Sequence, residues 1–256
     1  MASLSVAATS ALSELRARRT IFSIIALPRS GSTLLCGLLD SHPDILCHYE
    51  LFHPNEIALS LRIADRVHDT SARAPGVLPF LSALLGSHAE QFPAIRALGF
   101  KVLLSPPQMA TALEDVATCR DIVKLVVDRR NRLAAYASVW TAMKTGLWQT
   151  ETACAPARRV LHFDEDHFQA YVTETDRAMA LVDRLLEGQP RLDLDYQDVV
   201  SPNVGPRVLE FLNVDPAPSL QSAWVKTGSA CPLDAFDNPD AVRRCLSRLG
   251  KDEWIG

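Results

Sequence analysis

The sequence predicts an α/β fold with a mostly parallel central sheet, and three observations carry that expectation. Apolar, β-branched runs of strand length alternate with stretches of helical period. The runs are near-continuous in their apolar character, as in strands buried on both faces. Turn residues close them, with Pro28 after the first and Ser105 to Pro107 after another.

Along the chain, the first strand is Thr20 to Leu27, which Pro28 stops. A helix follows in which Leu34, Leu35, Leu38 and Leu39 share a face, ending at Ser41 to Pro43. Asp44 to Glu56 reads as a loop, and Glu56 to about His68 as a helix with Ile57, Leu61 and Ala64 on one side. "DTSARAPG" is a surface connection and "LPFLSALLG" a helix. "AIRALGFKVLL" reads as a strand, with Pro107 suited to the first turn of the next helix. Asp121 to Asp128 is another buried strand, and the helix after it runs to Gly146, a residue suited to a helix C-terminus. Leu147 to Arg158 has no period and is the candidate mobile loop. An amphipathic helix is expected from Glu165 to Glu187, with Phe168, Val172, Met179, Val182 and Leu186 inward and Gly188 as its stop. "LDLDY" is a short strand, and "GPRVLEFLNV" and "DAVRRCLSRLG" are helices.

The 256 residues suit one domain over 1–256, with 1–19 as a flexible or helical N-terminal extension that also has the Ala/Ser/Arg composition of a transit peptide. No internal repeat is present. With 26 basic and 30 acidic residues, the net charge of −4 offers no bulk attraction for nucleic acid or an anionic membrane, so an anion site must be local. The six cysteines are scattered without CxxC pairs, which favours reduced thiols and a cytoplasmic protein. No apolar run approaches the roughly 20 residues of a membrane span, so no stable membrane insertion is expected.

The most informative stretch is "SIIALPRSGSTLLCGLL", Ser23 to Leu39. A strand followed by "PRSGST" and a helix gathers backbone N–H groups, hydroxyls and the positive helix end around one point, which attracts an anion. A nucleotide triphosphatase loop carries a lysine that reaches the terminal phosphates. Aligned on Gly31, that position is Ser32 and the loop's first glycine is Ala26; Arg29 is the available cation. "LPRSGSTLL" resembles the 5′-phosphosulfate loop of sulfotransferases that use 3′-phosphoadenosine 5′-phosphosulfate (PAPS). "VVDRRNRLAAYASV" resembles the 3′-phosphate element of the same family, with Arg130 and Ser138 eight residues apart (138 − 130). An arginine offers a planar fork of donors, and a serine two turns into the adjoining helix turns its hydroxyl to the same anion. "DYQDVV…VLEFLNV…VKTG" resembles the family's C-terminal progression, departing from it at Gln197 and Asn213, and makes Lys226 a donor contact.

The resemblance implies a P-loop-type three-layer α/β/α fold and metal-free, in-line transfer of a sulfuryl group from PAPS to a hydroxyl of a carbohydrate, lipid or small-molecule acceptor, releasing PAP. It assigns Arg29 to the breaking S–O bond and Ser30, Gly31, Ser32 and Thr33 to the 5′-phosphate. Arg130, Ser138 and Lys226 hold the remaining donor groups. "SHPDILCHYELFHP" resembles the bacterial carbohydrate and small-molecule branch, in which the glutamate here numbered Glu50 is the base; His48 is the second candidate, since an imidazole titrates near neutrality. Of Cys47, His48, Glu50 and His53, only His48 and His53 have the paired spacing of a zinc site and no second cluster completes it, so no metal is expected. Lys101 has two readings, a lysine that approaches the acceptor or the sulfate and, as the default, one that snorkels from a strand end. The alternatives are a P-loop small-molecule kinase and a catalytically silent nucleotide-binding protein. Trp140, Trp148 and the long helix are candidates for a homo-oligomer contact, against core burial as the default.

Overall fold

A computed structural model describes residues 2–63, 66–106, 109–148, 161–216, 219–224 and 231–255. Its strands are β1 (Thr20–Ala26), β2 (Ile45–Glu50), β3 (Ile57–Ala58), β4 (Arg66–Val67), β5 (Ala97–Leu103), β6 (Val123–Asp128) and β7 (Arg191–Asp195). Its α-helices are α1 (Ala2–Arg16), α2 (Ser32–Asp40), α3 (Val77–Gln91), α4 (Glu114–Thr118), α5 (Arg132–Thr145), α6 (Glu165–Leu185), α7 (Tyr196–Val200), α8 (Val204–Leu212) and α9 (Pro239–Leu249).

Every residue of β1 is buried, as its unbroken apolar run requires, and the strand takes the centre of a five-stranded sheet in the order β2-β5-β1-β6-β7. All pairings in that sheet are parallel. Side chains alternate across β1. Phe22, Ile24 and Ala26 cluster with Leu35 and Leu39 of α2 and Val208 and Leu212 of α8. Ile21 lies on the other face, in a cluster with Leu12 of α1 and Leu81 and Leu85 of α3. Ile25 joins Val182 of α6 on that same face. The result is a helix layer on each side of one sheet. A further aromatic cluster joins α5, α6 and α9 through Tyr136, Phe168 and Val242.

Register decides what stands beside the first loop. Ala26 pairs with Leu103 of β5 and with Val127 of β6, and Asp128 pairs with Asp195 of β7. Four parallel strands therefore finish at one edge, the edge at which open α/β sheets bind ligands.

Two expectations are overturned. Asp44 to Glu56 is no loop: Ile45–Glu50 is an edge strand, buried through Tyr49 because its polar groups find partners inside. Glu56 to His68 forms no helix. Ile57 pairs with Val67 in a two-stranded antiparallel ribbon, and Leu61, expected on the same helix face as Ile57, is 49% exposed whereas Ile57 is buried. The N-terminal segment is helical, with Ala8 and Leu12 buried and Leu12 in the cluster formed with α3. Pro107 and most of the Leu147–Arg158 stretch lie outside the described residues.

Gly99 shows how tightly the central strands meet. A Cβ there would lie 2.0 Å from Cζ of Phe22, its register partner on β1. Gly99→Ala should destabilise the fold by about 1–3 kcal/mol, the scale of core overpacking. Chemical denaturation would measure this, and Phe22→Leu in the same chain should restore part of the loss because the two sites share one space.

Candidate functional site

The turn between β1 and α2 is held open by its backbone. Arg29 is left-handed at φ 63, uncommon for a residue with a side chain, and Gly31 follows at φ 92. Gly31 is required twice over, by its φ and by its neighbours: a Cβ would come 3.1 Å from Cδ2 of Tyr196 and 3.3 Å from Cγ1 of Val199. Ser30 is fully buried, and its hydroxyl donates to the Leu27 carbonyl at 2.7 Å, so it braces the turn from within. Gly31 caps α2 without a side-chain hydrogen bond, which leaves the first N–H groups of the helix for a ligand or water.

Two further elements reach this turn. Nε of Arg29 donates to Ser138 Oγ of α5 at 3.0 Å, so two sequence motifs 109 residues apart meet directly. A second N–H of Arg29 donates to the Trp148 carbonyl, just beyond the left-handed Gly146 that ends α5. From the end of β6, Arg129 donates to the Arg29 carbonyl at 3.4 Å, and its guanidinium lies 4.2 Å from the centre of the Tyr196 ring. Burial pulls the pKa of both arginines below the usual range, and the charge of Arg129 adds to the effect on Arg29. Among the described residues no carboxylate pairs with Arg129.

On the β5 side, Lys101 is 1% exposed. Its ammonium stands 3.1 Å from Glu50 Oε1 and donates to Thr33 Oγ1 of α2 at 2.9 Å. It is no snorkelling side chain, which corrects the sequence reading. An irregularity in β2 makes the contact: Cys47 pairs with Gly99 and Glu50 with Lys101, three residues against two. Glu50 keeps 16% of its side chain exposed, whereas His48 is fully buried. Nδ1 of His48 accepts from the Ser60 N–H at 3.1 Å, so its proton sits on Nε2, 3.2 Å from Nδ1 of His88. Burial, then the neighbouring His88, pushes the His48 pKa down to about 3. Ser60 also donates to the buried carboxylate of Asp40, which accepts the Cys47 N–H at 2.9 Å.

The structure thus brings together Arg29, Ser30, Gly31, Ser32, Thr33, Ser138 and Glu50, and withdraws His48 into the core. Arg130 is exposed and lines a groove of about 310 Å³ with Arg132, Lys251 and Trp254 among others. Lys226 lies outside the described residues. Sequence reasoning missed Arg129 and Tyr196, and it preferred a snorkelling Lys101 to one that reaches the site. The adjacency of Arg129 to Arg130 was a visible signal; the Lys101–Glu50 pairing depended on a bulge that carries none. Among the described residues, no group of three His, Cys, Asp or Glu side chains is placed to hold a metal, and no helix is long and apolar enough to cross a membrane.

An all-parallel sheet whose central strand feeds an uncapped helix beside two arginines defines an α/β protein of the anion-loop kind. The sequence model of the sulfotransferase family matches residues 21–218, and the chain belongs to that family. Among solved structures it is similar to a sulfotransferase domain from the curacin biosynthetic pathway, at 16% identity and a TM-score of 0.47, covering 91% of this chain and 98% of that one. No curated protein matches it.

The buried imidazole sets a pH dependence. His48 binds a proton in the unfolded chain near pH 6.5 and in the folded chain only near pH 3, so acidification between those values favours unfolding. Stability should fall across that window by up to about 1.4 kcal/mol per pH unit from this group. In His48→Asn, which keeps an acceptor for Ser60, denaturation midpoints should depend less steeply on pH over the same range.

Proposed function

We propose that the chain transfers a sulfuryl group from PAPS to a hydroxyl of a carbohydrate, lipid or other small-molecule acceptor and releases PAP. The observation that supports the reading is the Arg29–Ser138 hydrogen bond, which brings into contact the two sequence elements that resemble the family's phosphate-binding motifs. Half-buried guanidinium groups at an uncapped helix start are the surroundings that a multiply charged anionic donor would complete.

Each residue then has a task. The N–H groups at the start of α2, with Ser32 and Thr33, hold the 5′-phosphate, and Ser30 keeps the turn in shape. Arg29 neutralises charge on the bridging oxygen as the S–O bond breaks and PAP leaves, and the carbonyl of Trp148 yields its place on that guanidinium. Arg130, Ser138 and Lys226 are assigned to the 3′-phosphate and the rest of the nucleotide. Glu50 accepts the proton of the acceptor hydroxyl as its oxygen bonds to sulfur. His48 is set aside as a base because both its ring nitrogens are engaged in the core. Lys101 joins the two halves of the chemistry, bonded at once to Thr33 of the donor helix and to Glu50. The in-line step proceeds by positioning and electrostatics, the means that serve phosphoryl transfer, here without a metal.

Binding is tested by thermal stability, since a ligand of the folded state raises its midpoint by mass action. PAP should stabilise the protein more than 5′-AMP, and stabilisation by ATP with magnesium alone would overturn the reading in favour of a kinase. For the chemistry, Glu50→Gln should keep PAP affinity and lower kcat with a competent acceptor by about a hundredfold or more. Full activity in that variant would remove Glu50 as the base.

A further inference from the structure

Arg129 has no part in the roles assigned above, yet its surroundings are those of a ligand-binding cation. It leaves the end of β6 half-buried, with one N–H on the Arg29 carbonyl and its face against the Tyr196 ring. A guanidinium carries five N–H donors, so among the described residues most of its donor capacity is uncommitted. No carboxylate among the described residues pairs with it, in contrast with Arg132, three residues on, which is bonded to both Asp128 and Asp176. Arg29, whose carbonyl it holds, is a second cation beside it, and the Asp195 carboxylate acts on Arg129 without forming an ion pair. Two like charges brought together out of water oppose each other unless an anion lies between them.

Arg129 is also built into the shape of the turn. The carbonyl it holds belongs to Arg29, one of only two left-handed non-glycine residues among those described. The ring it stacks on packs against Gly31. Its guanidinium is therefore fixed, and an ordered fork loses little freedom on binding an oxyanion.

We infer that Arg129 is a second donor-binding cation, which takes phosphate charge at the start of α2 beside Arg29, while Arg130, turned to the groove with Lys251 and Trp254, does not share that task. The inference rests on the proposal that the donor is a PAPS-type nucleotide. It distinguishes neighbouring arginines by the phosphate each one serves: Arg129 the 5′-phosphate at the loop, Arg130 the 3′-phosphate.

The test is calorimetric titration of PAP and of 5′-AMP into the wild type, Arg129→Gln, Arg129→Lys and Arg130→Ala, at two salt concentrations. Arg129→Gln should weaken PAP and 5′-AMP alike by about tenfold or more, the scale of a charge-assisted hydrogen bond. Its PAP affinity should also depend less on salt, and Arg129→Lys should recover part of the affinity. Arg130→Ala should weaken PAP and leave 5′-AMP unchanged. Wild-type PAP binding with unaltered affinity in Arg129→Gln would overturn the inference and leave the donor assignment standing. So would a variant that melts earlier with the salt dependence of binding intact, since that pattern marks a purely structural arginine. Failure of the wild type to bind PAP would overturn the donor assignment, and the role of Arg129 with it.

Discussion

The constraint on which the rest depends is the complete burial of β1 between two strands and two helical layers. A strand so enclosed returns its chain to the surface only at its ends, and its register with β5 and β6 brings three strand ends level there. The turn after Ala26 is consequently met by what those neighbours carry close to their ends: Lys101 of β5, opposite Ile24, and Asp128 to Arg130 from β6. The site is a consequence of pairing. Its residues come from positions remote in sequence because the sheet has no other way to present them together.

Burial alone does not mark the site. Lys124 is as buried as Lys101, yet it lies near the opposite end of the sheet and bonds to the Cys119 carbonyl and to Gln189. Desolvation pulls its pKa down to about 8, and its partners are neutral oxygens that serve the fold. Lys101 has a carboxylate partner on an adjacent strand and a hydroxyl partner on the loop helix, so it couples two groups of the site. The cations also differ in how their charge is matched: Arg132 is bonded to Asp128 and Asp176, and among the described residues Arg129 has no carboxylate at ion-pair distance.

The sequence made the continuous strands, the amphipathic helices and the "PRSGST" turn legible, because apolar periodicity and turn chemistry are local properties. It hid β2, whose Cys47, His48 and Tyr49 look like loop residues until Asp40, Ser60 and His88 are seen around them. It also read 56–68 as helical, because three apolar residues at helical spacing do not reveal that Ile57 is paired with Val67. Spacing drew attention to Arg130 and said nothing of Arg129, whose guanidinium reaches the Arg29 carbonyl, since a count of residues does not tell which way each side chain leaves a strand end. In each case the missing information was a contact between segments distant in the chain.

Glu50 shows how such contacts shape the candidate site. If β2 followed β5 regularly from Cys47 opposite Gly99, Lys101 would face Tyr49, and Glu50 would lie one position further, on the other side of the sheet. The extra residue in β2 reverses that alternation and puts the carboxylate opposite the lysine. The irregularity is anchored from behind: Asp40 takes the Cys47 N–H, Ser60 joins Asp40 to His48, and His48 leans on His88 of α3. A buried polar network is costly unless every member is satisfied. Here its expense has a use, because an apolar core at the same place would have no directional bonds with which to hold one residue out of register. The histidine that its titration range alone recommends as a base thus aims the carboxylate from inside the core.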